Sequence, residues 1–156
     1  MEEDKRFVRR AVELALAGID AGGGPFGSVV VKDGEIIGEG YNSVTSTNDP
    51  TAHAEVVAIR EACRRLGTFQ LDGCVIYTTC EPCPMCLGAI YWARAERIVM
   101  AAGREDAAAA GFDDDLIYRE LDVPAERRSI PTSQICREDG IAVFKKWNET
   151  PDKVEY

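Results

Sequence analysis

Four residues of this 156-residue chain have the types and spacing of a metal site with an acid beside it. His53, the only histidine, lies two residues before Glu55 and thirty before Cys83, and Cys86 follows three residues later. Zinc binds thiolate and imidazole ligands, and a catalytic zinc ion takes three protein ligands and leaves its fourth position to water. His53, Cys83 and Cys86 therefore predict an open site for one Zn²⁺ per chain.

Glu55 is predicted to be the acid–base residue of this site and not a ligand. Two thiolates and a neutral imidazole bring the formal charge around Zn²⁺ to zero, so its water is acidified less than by three histidines. A base is then needed, and Glu55 would take a proton from the water and pass it to the substrate. Because helix residues i and i+2 point apart, His53 must lie at or just before the first turn.

Two alternatives are compatible with the same residues. Cys80 stands three residues before Cys83, so a closed structural site with three cysteines and His53 is chemically available, and Glu55 would then be an ordinary first-turn acid. The other alternative is a buried cluster of three cysteines and His53 that binds no metal. Only the open site gives Glu55 a task. The remaining cysteines are predicted to be small core residues: Cys63, Cys74 and Cys136.

The elements that must position these residues follow from periodicity. Apolar residues three and four apart predict helices over about 4–21, 54–66 and 84–94. β-Branched and aromatic runs predict strands over 28–32, 35–42, 73–78 and 97–101. His53 then precedes the second helix, and Pro84 fits the first turn of the third. The order predicts an α/β fold in which helices pack on a mixed sheet whose later strands run parallel.

The C-terminal part of the chain has a weaker pattern. Short helices are predicted over 116–121 and 142–147, with an irregular connection over 123–134. We expect one domain over 1–156, in which 107–156 is a helical or irregular C-terminal segment.

Composition and charge exclude several classes of protein. There are 18 Lys+Arg against 27 Asp+Glu, a net charge of −9, and this argues against nucleic acid as a partner. No apolar run approaches the roughly 20 residues of a membrane-spanning helix, and the first residues do not resemble a secretory signal. A cytoplasmic protein without a membrane partner is expected, in a compartment where thiols stay reduced.

Four motifs resemble those of the cytidine deaminase-like superfamily and, within it, of the bacterial zinc guanine deaminases. They are Gly-Pro-Phe-Gly at 24–27, Thr-Asn-Asp-Pro-Thr-Ala-His-Ala-Glu-Val at 47–56, Cys-Glu-Pro-Cys-Pro-Met-Cys at 80–86 with its continuation to 93, and Ala-Gly-Phe-Asp-Asp at 110–114. His-x-Glu with Pro-Cys-x-x-Cys is typical of zinc nucleobase deaminases. The resemblance implies a three-layer α-β-α cytidine deaminase-like fold with a mixed central sheet, and hydrolysis of guanine to xanthine and ammonia.

The same resemblance implies substrate-binding residues. Asn42 would bind the purine edge, Phe26 would wall the pocket and Trp92 would border the base. Asp114 would accept hydrogen bonds from the N1–H and amine of guanine, a donor pair that adenine lacks, and Tyr156 would close the site. The C-terminal segment would act as a lid or exchange between subunits of a homodimer. Each of these residues could instead have a purely structural role. The alternatives are a turn residue for Asn42, core aromatic residues for Phe26 and Trp92, a solvated acid for Asp114 and a frayed chain end for Tyr156.

Other functions share the metal site. Guanosine, cytosine, a triazine amine or the wobble adenosine of tRNA would be deaminated by the same mechanism, although the acidic balance argues against tRNA. A non-catalytic interaction module stabilised by zinc is the alternative from another class. Replacing Glu55 by Gln would separate the two, because only an enzyme would lose an activity.

Overall fold

The chain begins with a helix and a hairpin in the computed structural model, which describes residues 2–156. They are α1 (Glu2–Asp20), β1 (Gly27–Lys32) and β2 (Glu35–Tyr41). Phe7, Ala11 and Ala15 form the buried stripe of α1, as their spacing of four predicts. The turn at Asp33 and Gly34 has positive φ at both residues, which favours the right-handed twist of the hairpin.

Further helices and strands alternate along the rest of the chain. They are α2 (Val44–Thr47), α3 (Ala54–Leu66), β3 (Cys74–Cys80), α4 (Pro84–Trp92), β4 (Arg97–Ala102), α5 (Arg104–Ala109), α6 (Asp115–Leu121), a 3₁₀ turn (Ala125–Arg127) and α7 (Arg137–Glu149). Helix α3 has the predicted bounds, β3 extends two residues beyond the prediction, and α7 is about twice the predicted length. The short helices α2 and α5 were not predicted.

The four strands form one mixed sheet in the order β2-β1-β3-β4. Strand β1 is antiparallel to both β2 and β3, whereas β3 and β4 are parallel and are connected through α4. The mixed sheet and the parallel crossover are thus confirmed. The pairing of β1 with β3 brings residue 28 opposite residue 78, although they are 50 positions apart in sequence.

Helices cover both faces of this sheet, which confirms the three-layer α-β-α fold. On one face, Phe7 of α1 packs with Val29, Val31 and Tyr77. On the other, α3 and α4 cover the remaining strand positions, and the core there contains Val30, Ile37, Ala58, Ala62, Leu71, Cys74, Ile76, Ile90 and Ala93. Alternate residues of β1 and β3 therefore belong to opposite layers.

Contacts divide the chain into two units, Met1–Asp114 and Asp115–Tyr156. The second unit contains α6, the 3₁₀ turn and α7, none of which has a buried residue. The prediction that Cys136 is a core residue is wrong, because Cys136 is exposed and caps α7 with φ of 50°. Among residues 2–156 there is no helix with the length and hydropathy needed to cross a membrane.

Candidate active site

Two helix N-termini contribute the predicted metal ligands. His53 is the N-cap of α3 with φ −69° and ψ 154°, and Cys83 is the N-cap of α4 with φ −64° and ψ 167°. These extended backbones point the side chains away from the helices instead of along them. Pro84 fills the first position of α4, where a missing N–H costs nothing, and places Cys86 at the end of the first turn. The prediction that His53 precedes the first turn is confirmed.

The three side chains meet with a spacing that suits zinc. His53 Nδ1 lies 3.6 Å from Cys83 Sγ and 3.5 Å from Cys86 Sγ, and the three atoms lie within 4.8 Å of one another. Zn–S and Zn–N bonds of about 2.3 and 2.0–2.1 Å at tetrahedral angles separate sulfur from nitrogen by about 3.6 Å. The donor set and its spacing therefore fit one zinc ion.

The ionisation of these ligands is coupled to metal binding. Contacts from Cys86 and His53 lower the pKa of the Cys83 thiol to about 4, whereas Cys83 and burial raise the pKa of Cys86. Contact with Cys83 raises the pKa of His53. Cys83 is thus the more readily ionised of the two thiols, and Cys86 and His53 must each give up any proton they carry when a metal binds. The N-terminal dipole of α4 favours the same negative charge.

Glu55 lies beside this group on the second residue of α3 and is only 6% exposed. Its carboxylate contacts the thiol of Cys86. Burial raises the pKa of Glu55, which makes it a better proton carrier at neutral pH than an exposed carboxylate. The arrangement can therefore accept a proton next to the metal position and release it again nearby.

Cys80 does not join the metal group. Among the side chains of residues 2–156, the group able to hold a metal contains His53, Cys83 and Cys86 alone. Cys80 Sγ instead lies 3.6 Å from the carbonyl oxygen of Gly103, and burial raises the pKa of its thiol. The closed four-ligand alternative is therefore wrong.

Asn42 and Phe26 lie side by side at the open end of the hairpin, Phe26 just before β1 and Asn42 just after β2. The backbone N–H of Asn42 donates to the carbonyl oxygen of Phe26 at 3.0 Å. The Asn42 side-chain oxygen accepts from the N–H of Val44 at 3.2 Å. The ring of Phe26 meets that of Phe112 edge-on at 4.9 Å. Phe112 belongs to the motif at 110–114, but its partner could not be inferred from sequence.

Asp114 has an unusual environment for a carboxylate. Its Oδ1 is buried and has no hydrogen-bond partner among residues 2–156. Burial raises its pKa, and the nearby charge of Cys83 raises it further. A buried acceptor without a donor is costly, so this oxygen is suited to a ligand that carries N–H groups.

Trp92 and Tyr156 are placed differently from the residues above. Trp92 ends α4 with its side chain 62% exposed, and the guanidinium of Arg94 lies 5.7 Å from its ring centroid. Tyr156 is an exposed residue of the second unit. Neither belongs to the group formed by His53, Cys83 and Cys86.

One buried hydroxyl beside the site was missed by sequence reasoning. Thr78 Oγ1 lies 3.3 Å from Glu55 Oε1. Because the side chains of β3 alternate between the two faces of the sheet, the sequence can indicate that Thr78 is buried. Nothing in the sequence pairs it with Glu55, 23 positions earlier.

Comparison with known proteins gives consistent matches. Residues 1–102 match the family model of the cytidine and deoxycytidylate deaminase zinc-binding region. Guanine deaminase of Bacillus subtilis (strain 168) is 59% identical over 151 residues, which cover 96% of this chain and 97% of the relative. A tRNA-specific adenosine deaminase of Aquifex aeolicus is 47% identical over 96 residues, covering 62% of this chain and 64% of the relative.

Solved structures show the same likeness. The X-ray structure of guanine deaminase from Bacillus subtilis has a TM-score of 0.95 at 58% identity and covers 97% of this chain and 98% of its own. A guanine deaminase from Nitrosomonas europaea has a TM-score of 0.67 at 32% identity, with 92% of this chain and 84% of its own chain covered.

Proposed function

Since this chain belongs to the cytidine and deoxycytidylate deaminase zinc-binding family, we propose that it hydrolyses guanine to xanthine and ammonia with one zinc ion per chain. The metal geometry supports hydrolytic deamination in general. One observation carries the choice of guanine: the 59% identity to a guanine deaminase extends over 96% of the chain. The match to the tRNA-specific adenosine deaminase of Aquifex aeolicus covers only 62% of the chain.

His53, Cys83 and Cys86 are proposed to hold the zinc ion, through Nδ1 and the two Sγ atoms. When bound, zinc supplies a Lewis acid that makes a water molecule acidic enough to be a nucleophile near neutral pH. The two thiolates neutralise the metal charge, so the remaining proton transfer depends on a neighbouring base.

Glu55 is proposed to be that base and the subsequent acid. Its carboxylate takes a proton from the attacking water, whose oxygen bonds to the carbon that bears the amine. Glu55 delivers this proton to the adjacent ring nitrogen, then takes the second proton from the new hydroxyl group and passes it to the amine, whose bond to the carbon breaks to release ammonia as the carbonyl forms. Water and guanine together thus account for all atoms of xanthine and ammonia. Burial favours this role because a carboxylic acid must persist for part of the cycle.

Substrate recognition is proposed for residues around the metal group. Asp114 would accept from the N1–H and exocyclic amine of guanine, because its Oδ1 is buried without a donor. Asn42 would donate its side-chain amide to the purine edge, and Phe26 would cover a face of the base. Trp92 would border the base, and Tyr156 would close over it and exclude water.

We further propose that the enzyme is a cytoplasmic homodimer. Two reduced thiolates in the metal group favour a reducing compartment. The C-terminal segment 107–156 would serve as a lid or exchange between the two subunits, and the absence of buried residues in α6 and α7 supports this role. The net charge of −9 supports a small purine base over nucleic acid as the partner.

The proposal is tested by ammonia release from purified protein offered guanine, guanosine, cytosine and adenine separately, with zinc measured on each sample. Guanine is expected to be turned over at about one zinc per chain. Glu55→Gln should keep its zinc and lose about 10²- to 10⁴-fold in activity, the usual contribution of a general acid–base group.

Two cysteine variants form a matched pair, one at a proposed metal ligand and one at a neighbouring cysteine that serves as the control. Cys83→Ala is expected to lose zinc and activity together, whereas Cys80→Ala, three residues away and directed at Gly103, should retain both. Zinc-loaded protein that leaves guanine intact would contradict the proposed function.

A further inference from the structure

Thr78 carries a hydroxyl group in a row of β3 side chains that are otherwise apolar or end in thiols. Alternate residues of β3, Cys74, Ile76, Thr78 and Cys80, are all buried and share one face of the strand. Thr78 is 1% exposed. A buried hydroxyl is costly unless it is hydrogen-bonded, so the partners of this side chain show why it is tolerated there.

Two acceptors face the Thr78 hydroxyl. Glu55 Oε1 lies 3.3 Å from Oγ1, and the carbonyl oxygen of Gly27 lies 3.5 Å from it. A hydroxyl has a single proton to donate. An ionised carboxylate is the stronger acceptor and is also the nearer, so the proton is directed to Glu55.

Thr78 is held more rigidly than the side chain it contacts. It lies in the interior of the sheet, paired with Ser28 on β1 and Met100 on β4. Glu55 lies in the first turn of α3 and has three side-chain torsions to restrain. A catalytic group works best when a rigid element fixes its direction.

From this geometry we propose that Thr78 is a positioning residue for the deamination reaction, which fixes Glu55 Oε1 and leaves the second carboxylate oxygen directed at the reacting atoms. The inference rests on the proposed function, because it assigns Thr78 a role through Glu55. Loss of the hydroxyl should slow the proton transfers without altering metal or substrate binding.

Steady-state kinetics of three variants test this proposal. Thr78→Val keeps the shape and removes the hydroxyl, and its kcat for guanine should fall about 10- to 100-fold, as expected for loss of a hydrogen bond to a charged group. KM should stay within about twofold, because Thr78 is proposed to act through Glu55 and not on the substrate itself. Thr78→Ser restores the hydroxyl and should recover kcat to within about threefold of the parent.

Ser28→Ala is the matched control. Ser28 is equally buried and directly opposite Thr78, but its hydroxyl donates to the carbonyl oxygen of Tyr77 at 3.0 Å. This variant removes a buried hydroxyl of the same strand pair without touching Glu55, so its kcat should match the parent. Zinc content and melting temperature are measured for every variant.

The outcomes are distinguishable. A Thr78→Val enzyme with the parent kcat overturns the proposal, as does a loss that appears in KM or in zinc content. Equal losses in Thr78→Val and Thr78→Ser, or in Ser28→Ala, would indicate a packing effect and overturn it too. If the parent leaves guanine intact, the proposed function itself fails and the role of Thr78 fails with it.

Discussion

His53 and Cys83 occupy N-cap positions, where a side chain ordinarily accepts a hydrogen bond from the first turn of its helix. Neither makes such a bond. Each helix thereby forgoes about 1 kcal/mol of capping, while its N-terminal dipole and extended entry backbone are used to present a metal ligand. At the residue scale, the site is thus built from positions that local stability alone would give to Ser, Thr or Asp.

Asp114 is the substrate residue with the clearest test at this scale. Asp114→Asn should lower kcat/KM for guanine by about 10- to 100-fold, because a hydrogen bond to a charged group contributes about 1.5–3 kcal/mol. Zinc content should not change. Initial rates over a range of guanine concentrations measure the effect.

Asp20→Asn, which removes an exposed carboxylate at the end of α1, controls for the change in net charge. An Asp114→Asn enzyme with the parent kcat/KM would exclude Asp114 from guanine recognition.

At the element scale, α3 lies unusually close to the sheet. A Cβ at Gly38 or Gly40 of β2 would fall 2.3 Å from the carbonyl oxygen of Ala58 or 2.4 Å from that of Ala54. Small residues on both elements allow this approach. Because His53 and Glu55 belong to the start of α3, the closeness of this packing sets the depth of the metal group.

Gly40→Ala should therefore act on both stability and metal binding. The added methyl would force α3 outward near its first residue, Ala54, and overpacking of this kind costs about 1–3 kcal/mol. We expect a lower free energy of unfolding in urea and faster loss of zinc to a chelator.

Gly88→Ala is the matched substitution within α4, where a Cβ would meet nothing within 4 Å. It should raise stability by about 0.5–1 kcal/mol, since Ala is favoured over Gly inside a helix. Equal behaviour of the two variants would mean that α3 does not depend on the glycine contact.

A cluster of polar side chains connects α1 to β3 and β4, on the face of the sheet that α1 covers. Tyr77 donates its hydroxyl to Asp4 at 2.8 Å, and Arg97 contacts the same carboxylate oxygen at 2.7 Å. Burial and the contact with Asp4 raise the pKa of Tyr77 to about 12, above its ordinary value of 10.0.

This cluster predicts a dependence of stability on alkaline pH. A raised pKa contributes stability that is fully present below pH 10 and is lost as pH rises toward 12. The loss is at most about 3 kcal/mol, since one pKa unit corresponds to about 1.4 kcal/mol. The melting temperature of the parent should therefore fall over this pH interval by more than that of Tyr77→Phe.

The comparison with Tyr77→Phe cancels the other groups that titrate at high pH, because both proteins carry them. Parallel stability curves between pH 9 and 12 would show that the hydroxyl of Tyr77 is not stabilised by Asp4.

At the scale of the whole molecule, the second unit exposes apolar side chains. Ile135 is 81% exposed and Phe144 is 70% exposed, and α7 buries no residue. Monomeric proteins rarely expose large contiguous apolar surface. This exposure supports the proposal that residues 115–156 are covered by a second copy of the chain.

Phe144→Asp should then shift the protein toward monomer. A charge in an apolar interface is costly, so sedimentation velocity is expected to show a dimer for the parent and mainly monomer for the variant at micromolar concentration. Activity with guanine should fall with the dimer if the terminal segment completes the site.

Glu138→Lys changes an exposed charge on the same helix and should remain dimeric. A parent protein that sediments as a monomer would contradict the homodimer.

Much of the first unit could be predicted because its determinants are local. The bounds of α3, the hairpin turn at Asp33 and the start of α4 at Pro84 each follow from residues within a few positions. Helices with weak local patterns were missed or shortened. Arg104–Ala109 begins where Asp106 accepts from the N–H of Gly103 at 2.8 Å, and Gly140 interrupts the apolar pattern at the start of α7.

The chemistry of the site was also determined by the sequence, since thiol, imidazole and carboxylate at these spacings leave few alternatives. Only the tertiary structure decided that Cys80 turns toward Gly103, that Asp114 Oδ1 is buried without a donor, and that Thr78 meets Glu55. These facts depend on which strands pair and how closely helices pack. Such contacts join residues far apart in the chain, and their free energy comes from the packed core as a whole and not from any short segment.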